Sequence, residues 1–162
     1  MEYIYLDNSA TTKPSEASLE KMREALSVTY GNPSSVHAVG NASKKLMDEA
    51  RRQIISSMGI RKIPDWELIF TSGGTEANNL AIFGTVYAKN RPDKGGSRGK
   101  IFISDGEHPS VNECAAALEK KGFEVVRIPT KNGVLDMDFA SKAIDKNTIL
   151  VTAMMVNNET GA

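Results

Sequence analysis

The chain has 162 residues, about one ordinary domain, and its 20 basic residues balance 20 acidic ones. The balanced charge argues against a nucleic-acid surface, and no apolar run is long enough to span a membrane or to form a secretory signal. The single cysteine, Cys114, excludes an internal disulfide and is typical of a reducing compartment, so we expect a soluble cytoplasmic protein with no metal site.

The first third of the chain predicts two helices joined by a loop. A β-prone run, Tyr3–Leu6, leads into a polar turn, and Ser15 is the expected N-cap of the first helix. The segment 31–40 is rich in turn formers, and His37 within it is interpreted as a hydrogen-bonded structural residue. Apolar spacing predicts a second helix over 42–58.

The next stretch predicts a strand, a glycine turn and a helix. The apolar run of Trp66–Phe70 stops at Gly73 and Gly74, and helical apolar spacing follows. In α/β proteins this order forms an anion site, because glycine lets the backbone approach a ligand and unpaired N–H groups of the helix point at it. Thr75 adds a hydroxyl where a phosphate oxygen is expected. An ordinary strand-to-helix turn, with glycines for geometry only, remains the alternative.

The second half predicts alternating strands and helices. A basic, glycine-containing loop over 89–100 is interpreted as solvated, and a buried strand follows at Lys100–Ser104. His108 then lies at a strand-to-helix junction, with Pro109 as the first helical residue. Its position on the same type of edge as the glycine turn makes it a stronger functional candidate than His37.

The remaining elements complete an α/β pattern. We predict a strand over 123–128, a turn at 131–133, a helix over 136–144 and a strand over 148–156. The alternation predicts a mostly parallel sheet covered by helices. The last strand delivers Asn157–Glu159 to the carboxyl edge, where such sheets bind ligands, and the chain stops there. We therefore expect a chain cut from a longer protein.

Taken together, the motifs resemble the N-terminal part of cysteine desulfurases of the NifS/IscS type, which are pyridoxal-phosphate enzymes of the aspartate-aminotransferase fold. The matching segments occur in the family's order and cover nearly the whole chain; they are Tyr5–Thr12, Gly31–His37, Phe70–Glu76, Glu107–Pro109 and Val156–Gly161. The resemblance implies a fold type I large domain that is incomplete. It also divides the chain into an N-terminal arm, helix and active-site loop over 1–40 and the first part of the cofactor-binding domain over 41–162.

The resemblance implies roles for particular residues. Gly74 and Thr75 match the residues that hold the phosphate of pyridoxal 5′-phosphate. His108 matches the histidine that stacks on the pyridine ring and takes part in proton transfer. Asn158 matches the asparagine near the cofactor's phenolic oxygen and the substrate carboxylate. The segments 8–11 and 34–37 are expected to line the mouth of the site or a dimer contact.

The activity that the resemblance implies is conversion of L-cysteine to L-alanine, with the sulfur left as an enzyme persulfide. That sulfur would serve iron–sulfur cluster or thio-cofactor assembly through an acceptor or scaffold protein, and the enzyme would be a homodimer. The Schiff-base lysine and the nucleophilic cysteine lie beyond the matched segments in this family, and neither Lys100 nor Cys114 takes their positions. We therefore expect this chain alone to be inactive.

Two alternatives stay open from the sequence. Selenocysteine lyases and other fold type I enzymes share the same scaffold. A short, non-catalytic protein that pairs with a full-length desulfurase or a sulfur carrier would also carry these motifs.

Overall fold

The computed structural model describes residues 4–60, 67–90 and 99–162, and these fall into two compact units that divide between Phe70 and Thr71. The functional division predicted after residue 40 stays a prediction. Most of the basic loop over 89–100 lies outside the described residues. No helix in the described part of the chain is both long enough and apolar enough to cross a bilayer.

The first unit contains helices α1 (Glu16–Ser27) and α2 (Ala38–Ser57). Ser15 is the N-cap of α1, as predicted, and its hydroxyl accepts a hydrogen bond from the Ser18 amide. Helix α2 begins four residues earlier than its apolar spacing suggested. The reason is His37, whose Nδ1 accepts from the Gly40 amide at 3.2 Å and caps the helix. The prediction of a hydrogen-bonded structural histidine is confirmed.

The strand predicted over 66–70 is wrong over the residues that the structure describes, and the β-prone run before the first helix forms no strand there either. Residues 4–6 and 67–70 form no strand, while Tyr3 and Trp66 lie outside the described residues. A strand requires a neighbour for its backbone hydrogen bonds, and the described part of the first unit contains no strand that could be that neighbour. Near the second segment, the Arg51 side chain donates to the carbonyl of Leu68 at 3.3 Å.

The second unit is a parallel sheet between helices, which confirms the predicted α/β class. Its strands are β1 (Lys100–Ser104), β2 (Val125–Ile128) and β5 (Thr148–Thr152), in the order β2-β1-β5 with both pairings parallel. Its helices are α3 (Gly74–Lys89), α4 (Pro109–Lys120) and α5 (Met137–Ala143).

The central strand β1 is buried on both faces. Because successive side chains of a strand point to opposite faces, Ile101 and Ile103 pack with buried residues of α3 and α4, whereas Phe102 packs with Ile128 and with Ala140 of α5. These three β1 side chains are at most 1% exposed. Burial on both faces explains why the strand is a continuous apolar run.

Three elements of the second unit differ from their predicted bounds. Strand β2 begins at Val125, two residues late, and α5 is one residue shorter at each end than predicted. Strand β5 ends at Thr152, four residues early, because its register with β1 ends at the pair Ile103–Thr152. The predicted turn after β2 closes a small antiparallel hairpin of β3 (Thr130–Lys131) and β4 (Val134–Leu135). Asn132 and Gly133 have φ of 52° and 78°, which suits a tight two-residue hairpin turn.

Candidate functional site

The carboxyl edge of β1 is held in place by a network of hydrogen bonds. The Asp105 amide donates to the carbonyl of Ile128 at 3.0 Å, and the Asp105 carboxylate accepts from the Thr130 amide at 3.0 Å. Ser104 is buried and donates to the carboxylate of Glu107 at 2.6 Å. The turn that delivers His108 is therefore fixed to the ends of two neighbouring strands.

His108 is the N-cap of α4, and Pro109 is its first helical residue, as predicted. The imidazole Nδ1 accepts from the Ser110 amide at 3.1 Å and lies 2.8 Å from the Ser110 hydroxyl. A backbone N–H can only donate, so Nδ1 carries the lone pair and the ring hydrogen lies on Nε2. The ring is exposed, whereas Ser110 is 8% exposed.

The N-terminus of α3 has open backbone donors. Its N-cap, Gly73, makes no side-chain capping bond, so the first N–H groups of the helix are not covered by a side chain. A Cβ at Gly73 or Gly74 would meet no atom within 4 Å, so space for a ligand lies beside this turn. Glu76 turns back to accept from the Ser72 amide and hydroxyl, both at 2.7 Å, which lowers the pKa of its carboxyl.

The starts of α3 and α4 meet at one place. The Asn78 side chain of α3 donates to the Ser110 hydroxyl of α4 at 2.8 Å. A cavity of about 350 Å³ lies at this junction, lined by Gly74, Thr75, Asn78, His108 and Ser110. A second cavity of about 340 Å³ shares Thr75, His108 and Ser110 with it. Three predicted site residues, Gly74, Thr75 and His108, therefore surround one space.

The fourth predicted residue, Asn158, follows β5 in the same unit. It is exposed and lines neither of the two cavities that His108 lines. Its neighbour Asn157 organises the segment: the side chain donates to the carbonyl of Gly106 at 3.2 Å and accepts from the amides of Glu159 and Thr160, both at 2.9 Å. Asn157 thereby connects the segment that follows β5 to the turn that precedes His108.

Cys114 lies on α4 and lines the second cavity, but it is 2% exposed. Burial raises the pKa of its thiol, which disfavours the thiolate that a nucleophile requires. The interpretation of Cys114 as a small buried residue is confirmed. Among the described residues, no group of three or more metal-ligating side chains comes together.

Sequence reasoning did not find Asn78, Ser110 or Asn157. The helical position of Asn78 and the first-turn position of Ser110 are ordinary for their residue types. The segment Val156–Gly161 was predicted to be functional. Its sequence does not show which of the two asparagines makes the hydrogen bonds of the turn, Asn157, and which one is exposed, Asn158.

Comparison with known proteins identifies the family of the chain. The family model for aminotransferase class-V matches residues 4–162. The chain is 42% identical over 159 residues to a "NifS/IcsS protein homolog" of Lactobacillus delbrueckii subsp. bulgaricus, covering 98% of the chain and 39% of that protein. It is 41% identical to the "Cysteine desulfurase IscS" of Dictyoglomus turgidum, covering 98% of the chain and 38% of that protein.

Solved structures agree with these relatives. A "NifS-like protein" aligns with a TM-score of 0.84 at 34% identity, over 96% of this chain and 41% of that one. A structure titled "SspA in complex with cysteine" aligns with a TM-score of 0.82 at 32% identity, over 96% and 43% of the two chains. The chain thus spans about two fifths of the length of the proteins that it matches.

Proposed function

Because the chain belongs to the aminotransferase class-V family, we propose that it forms the first part of a pyridoxal-phosphate-dependent cysteine desulfurase. The reaction converts L-cysteine to L-alanine and leaves the sulfur as a persulfide on an enzyme cysteine. The observation that carries the proposal is the cavity where the α3 N-terminus meets His108, in a chain whose relatives are named as desulfurases.

The α3 N-terminus fits the phosphate of the cofactor. An anion at a helix N-terminus is stabilised by unpaired backbone N–H groups and by the helix dipole. Gly73 lacks a side-chain cap, and a Cβ at either glycine would meet open space, so the backbone is free to contact a phosphate. Gly74 and Thr75 line the cavity and are the residues proposed to hold it.

His108 is proposed as the acid–base group and as the ring that stacks on the cofactor. Its Nδ1 is occupied by Ser110, so Nε2 is the nitrogen left to exchange a proton with the substrate. Pyridoxal phosphate, when bound, supplies the capacity to withdraw electrons from the substrate, while the protein orients the reactants. Asn158 is proposed to contact the cofactor and the substrate carboxylate.

The complete activity requires more residues than this chain offers in matching positions. A lysine that holds the cofactor and a cysteine that takes up the sulfur are required, and buried Cys114 is unsuited to the second role. We propose that the 162-residue chain alone is inactive and that the active enzyme is a cytoplasmic homodimer. It passes sulfur to an acceptor or scaffold protein for iron–sulfur cluster or thio-cofactor assembly.

Alanine release from L-cysteine, measured on the purified protein that its gene encodes, tests the proposal. His108→Asn removes the imidazole but keeps a good N-cap for α4, so we expect kcat to fall about 10²–10⁴-fold without loss of the helix. The matched control is Asp136→Asn, which replaces the N-cap of α5 and should leave kcat within about twofold. Alanine release from L-selenocysteine alone would support a selenocysteine lyase instead.

A further inference from the structure

Ser110 occupies an unusual position for a serine. It is 8% exposed, and its hydroxyl lies between two side chains from different helices: Asn78 Nδ2 at 2.8 Å and His108 Nδ1 at 2.8 Å. Buried hydroxyls in proteins are generally hydrogen-bonded, and here both partners line the proposed cofactor cavity. Asn78 has no role in the function proposed above, and Ser110 enters it only as the residue that occupies Nδ1 of His108.

The direction of each hydrogen bond follows from the chemistry of the groups. The Asn78 amide nitrogen donates to the Ser110 oxygen, so the serine hydrogen is available for a second partner. That partner is His108 Nδ1, which also accepts from the Ser110 backbone N–H at 3.1 Å. Nδ1 therefore receives two donors, and a hydrogen on Nδ1 would face both of them.

We propose that Ser110 and Asn78 are positioning residues that hold His108 as the Nε2–H tautomer and fix the orientation of its ring. Asn78 orients the serine hydroxyl, and the hydroxyl then fixes the imidazole. The proposal rests on the proposed function in one respect, which is that the His108 ring is the acid–base group. It concerns hydrogen bonds within this chain, so it is testable without cofactor.

Four variants distinguish the effect of these hydrogen bonds from an effect of side-chain packing. Ser110→Ala removes the hydroxyl. Asn78→Asp keeps the side-chain shape, but a carboxylate only accepts, so the Ser110 hydroxyl turns toward it and away from His108. Asn79→Asp is the charge-matched control. The Asn79 side chain donates a hydrogen bond to the carbonyl of Thr75 at 2.8 Å, and the structure describes no hydrogen bond between it and Ser110. Ser110→Thr restores a hydroxyl.

The first readout is the ¹⁵N spectrum of the histidine side chains, recorded above the pH range in which imidazoles titrate. The chemical shift of a ring nitrogen reports whether it carries hydrogen and whether it accepts a hydrogen bond. His37 is an internal reference, because its Nδ1 also caps a helix and accepts from the Gly40 backbone amide, without a serine hydroxyl.

We expect the Nδ1 resonance of His108 to move toward that of His37 in Ser110→Ala and Asn78→Asp. It should stay at the wild-type position in Asn79→Asp and Ser110→Thr. An unchanged resonance in Ser110→Ala and Asn78→Asp would overturn the proposal, as would an equal movement in the Asn79→Asp control.

The second readout is alanine release by the active protein. We expect Ser110→Ala to lower kcat about fivefold, the equivalent of one net hydrogen bond, with KM unchanged and with recovery in Ser110→Thr. Full kcat in both Ser110→Ala and Asn78→Asp would overturn the positioning role. If the wild-type protein releases no alanine, the proposed function fails, and the ¹⁵N spectra still decide the hydrogen-bond assignment.

Discussion

Asn157 and Asn158 are adjacent and identical, yet their side chains have different surroundings in the structure. Asn157 makes four side-chain hydrogen bonds, one donated to the carbonyl of Gly106 and three accepted from the Glu159 amide and from the amide and hydroxyl of Thr160. Asn158 is exposed, and the structure describes no side-chain hydrogen bond for it. Alanine substitutions at the two positions should therefore separate stability from catalysis.

The magnitude follows from those bonds. A net hydrogen bond contributes about 0.5–1.5 kcal/mol, and this segment is partly open to water, so Asn157→Ala should lower the free energy of unfolding by about 1–3 kcal/mol. Asn158→Ala should change it by less than about 0.5 kcal/mol, as an exposed surface substitution does. Its effect should instead appear in alanine release, because the exposed amide is proposed to contact the cofactor and the substrate.

Urea unfolding of the two variants, with amide exchange at Glu159 and Thr160, measures the first effect. The isosteric Asn157→Asp keeps the three accepted bonds and loses only the donated one, so its loss of stability should be the smaller one. Equal destabilisation by Asn158→Ala and Asn157→Ala would refute this difference between the two residues, as would unchanged exchange at the two amides in Asn157→Ala.

Three further predictions follow from local geometry. Gly40→Ala should destabilise the protein by about 1–3 kcal/mol in urea unfolding, because its Cβ would meet carbonyl oxygens of the preceding loop, one of them at 2.7 Å. Gly84→Ala, also helical but with nothing within 4 Å of its Cβ, should stabilise it by about 0.5–1 kcal/mol, and equal effects would contradict the packing. Hydrogen bonds from the Ser72 side chain and amide lower the pKa of Glu76 below its ordinary 4.5. The ionised Glu76 side chain therefore stabilises the folded protein at pH values above 4.5, and this stabilisation is lost as the pH falls through the lowered pKa. Acidification from neutral pH to below 4.5 should therefore destabilise wild type more than Glu76→Gln, and parallel pH profiles would contradict this. A thiol reagent should modify Cys114 only after unfolding, and rapid labelling of the native protein would contradict its burial.

Local signals in the sequence predicted much of the second unit. The strand Lys100–Ser104 has the predicted bounds because a β1 strand that is buried on both faces is continuously apolar. His108 and Pro109 begin α4 as predicted, since proline suits the first helical position. The glycine turn was predicted as the start of a helix, and α3 begins there, at Gly74.

Features that depend on distant partners were not predictable in the same way. The apolar run before the glycine turn has strand composition, but residues 67–70 form no strand, and the described part of their own unit offers no strand to pair with. The Asn78–Ser110 bond joins side chains 32 residues apart, and no periodicity indicates it. Between Asn157 and Asn158 the choice depends on which amide faces the turn at Gly106, which only the folded chain determines.

The proposed contact between the N-terminus of α3 and the phosphate of pyridoxal phosphate can be measured through the affinity of the protein for the cofactor. Thr75→Val removes the hydroxyl at almost constant shape, and Thr85→Val makes the same change on the same helix outside both cavities. Thr75→Val loses one hydrogen bond to a charged phosphate, so its dissociation constant for pyridoxal phosphate should be about tenfold higher than that of the wild-type protein. The dissociation constant of Thr85→Val should equal the wild-type value. Equal affinities in wild type and Thr75→Val, or no binding by wild type, would show that the N-terminus of α3 does not hold the phosphate in this way.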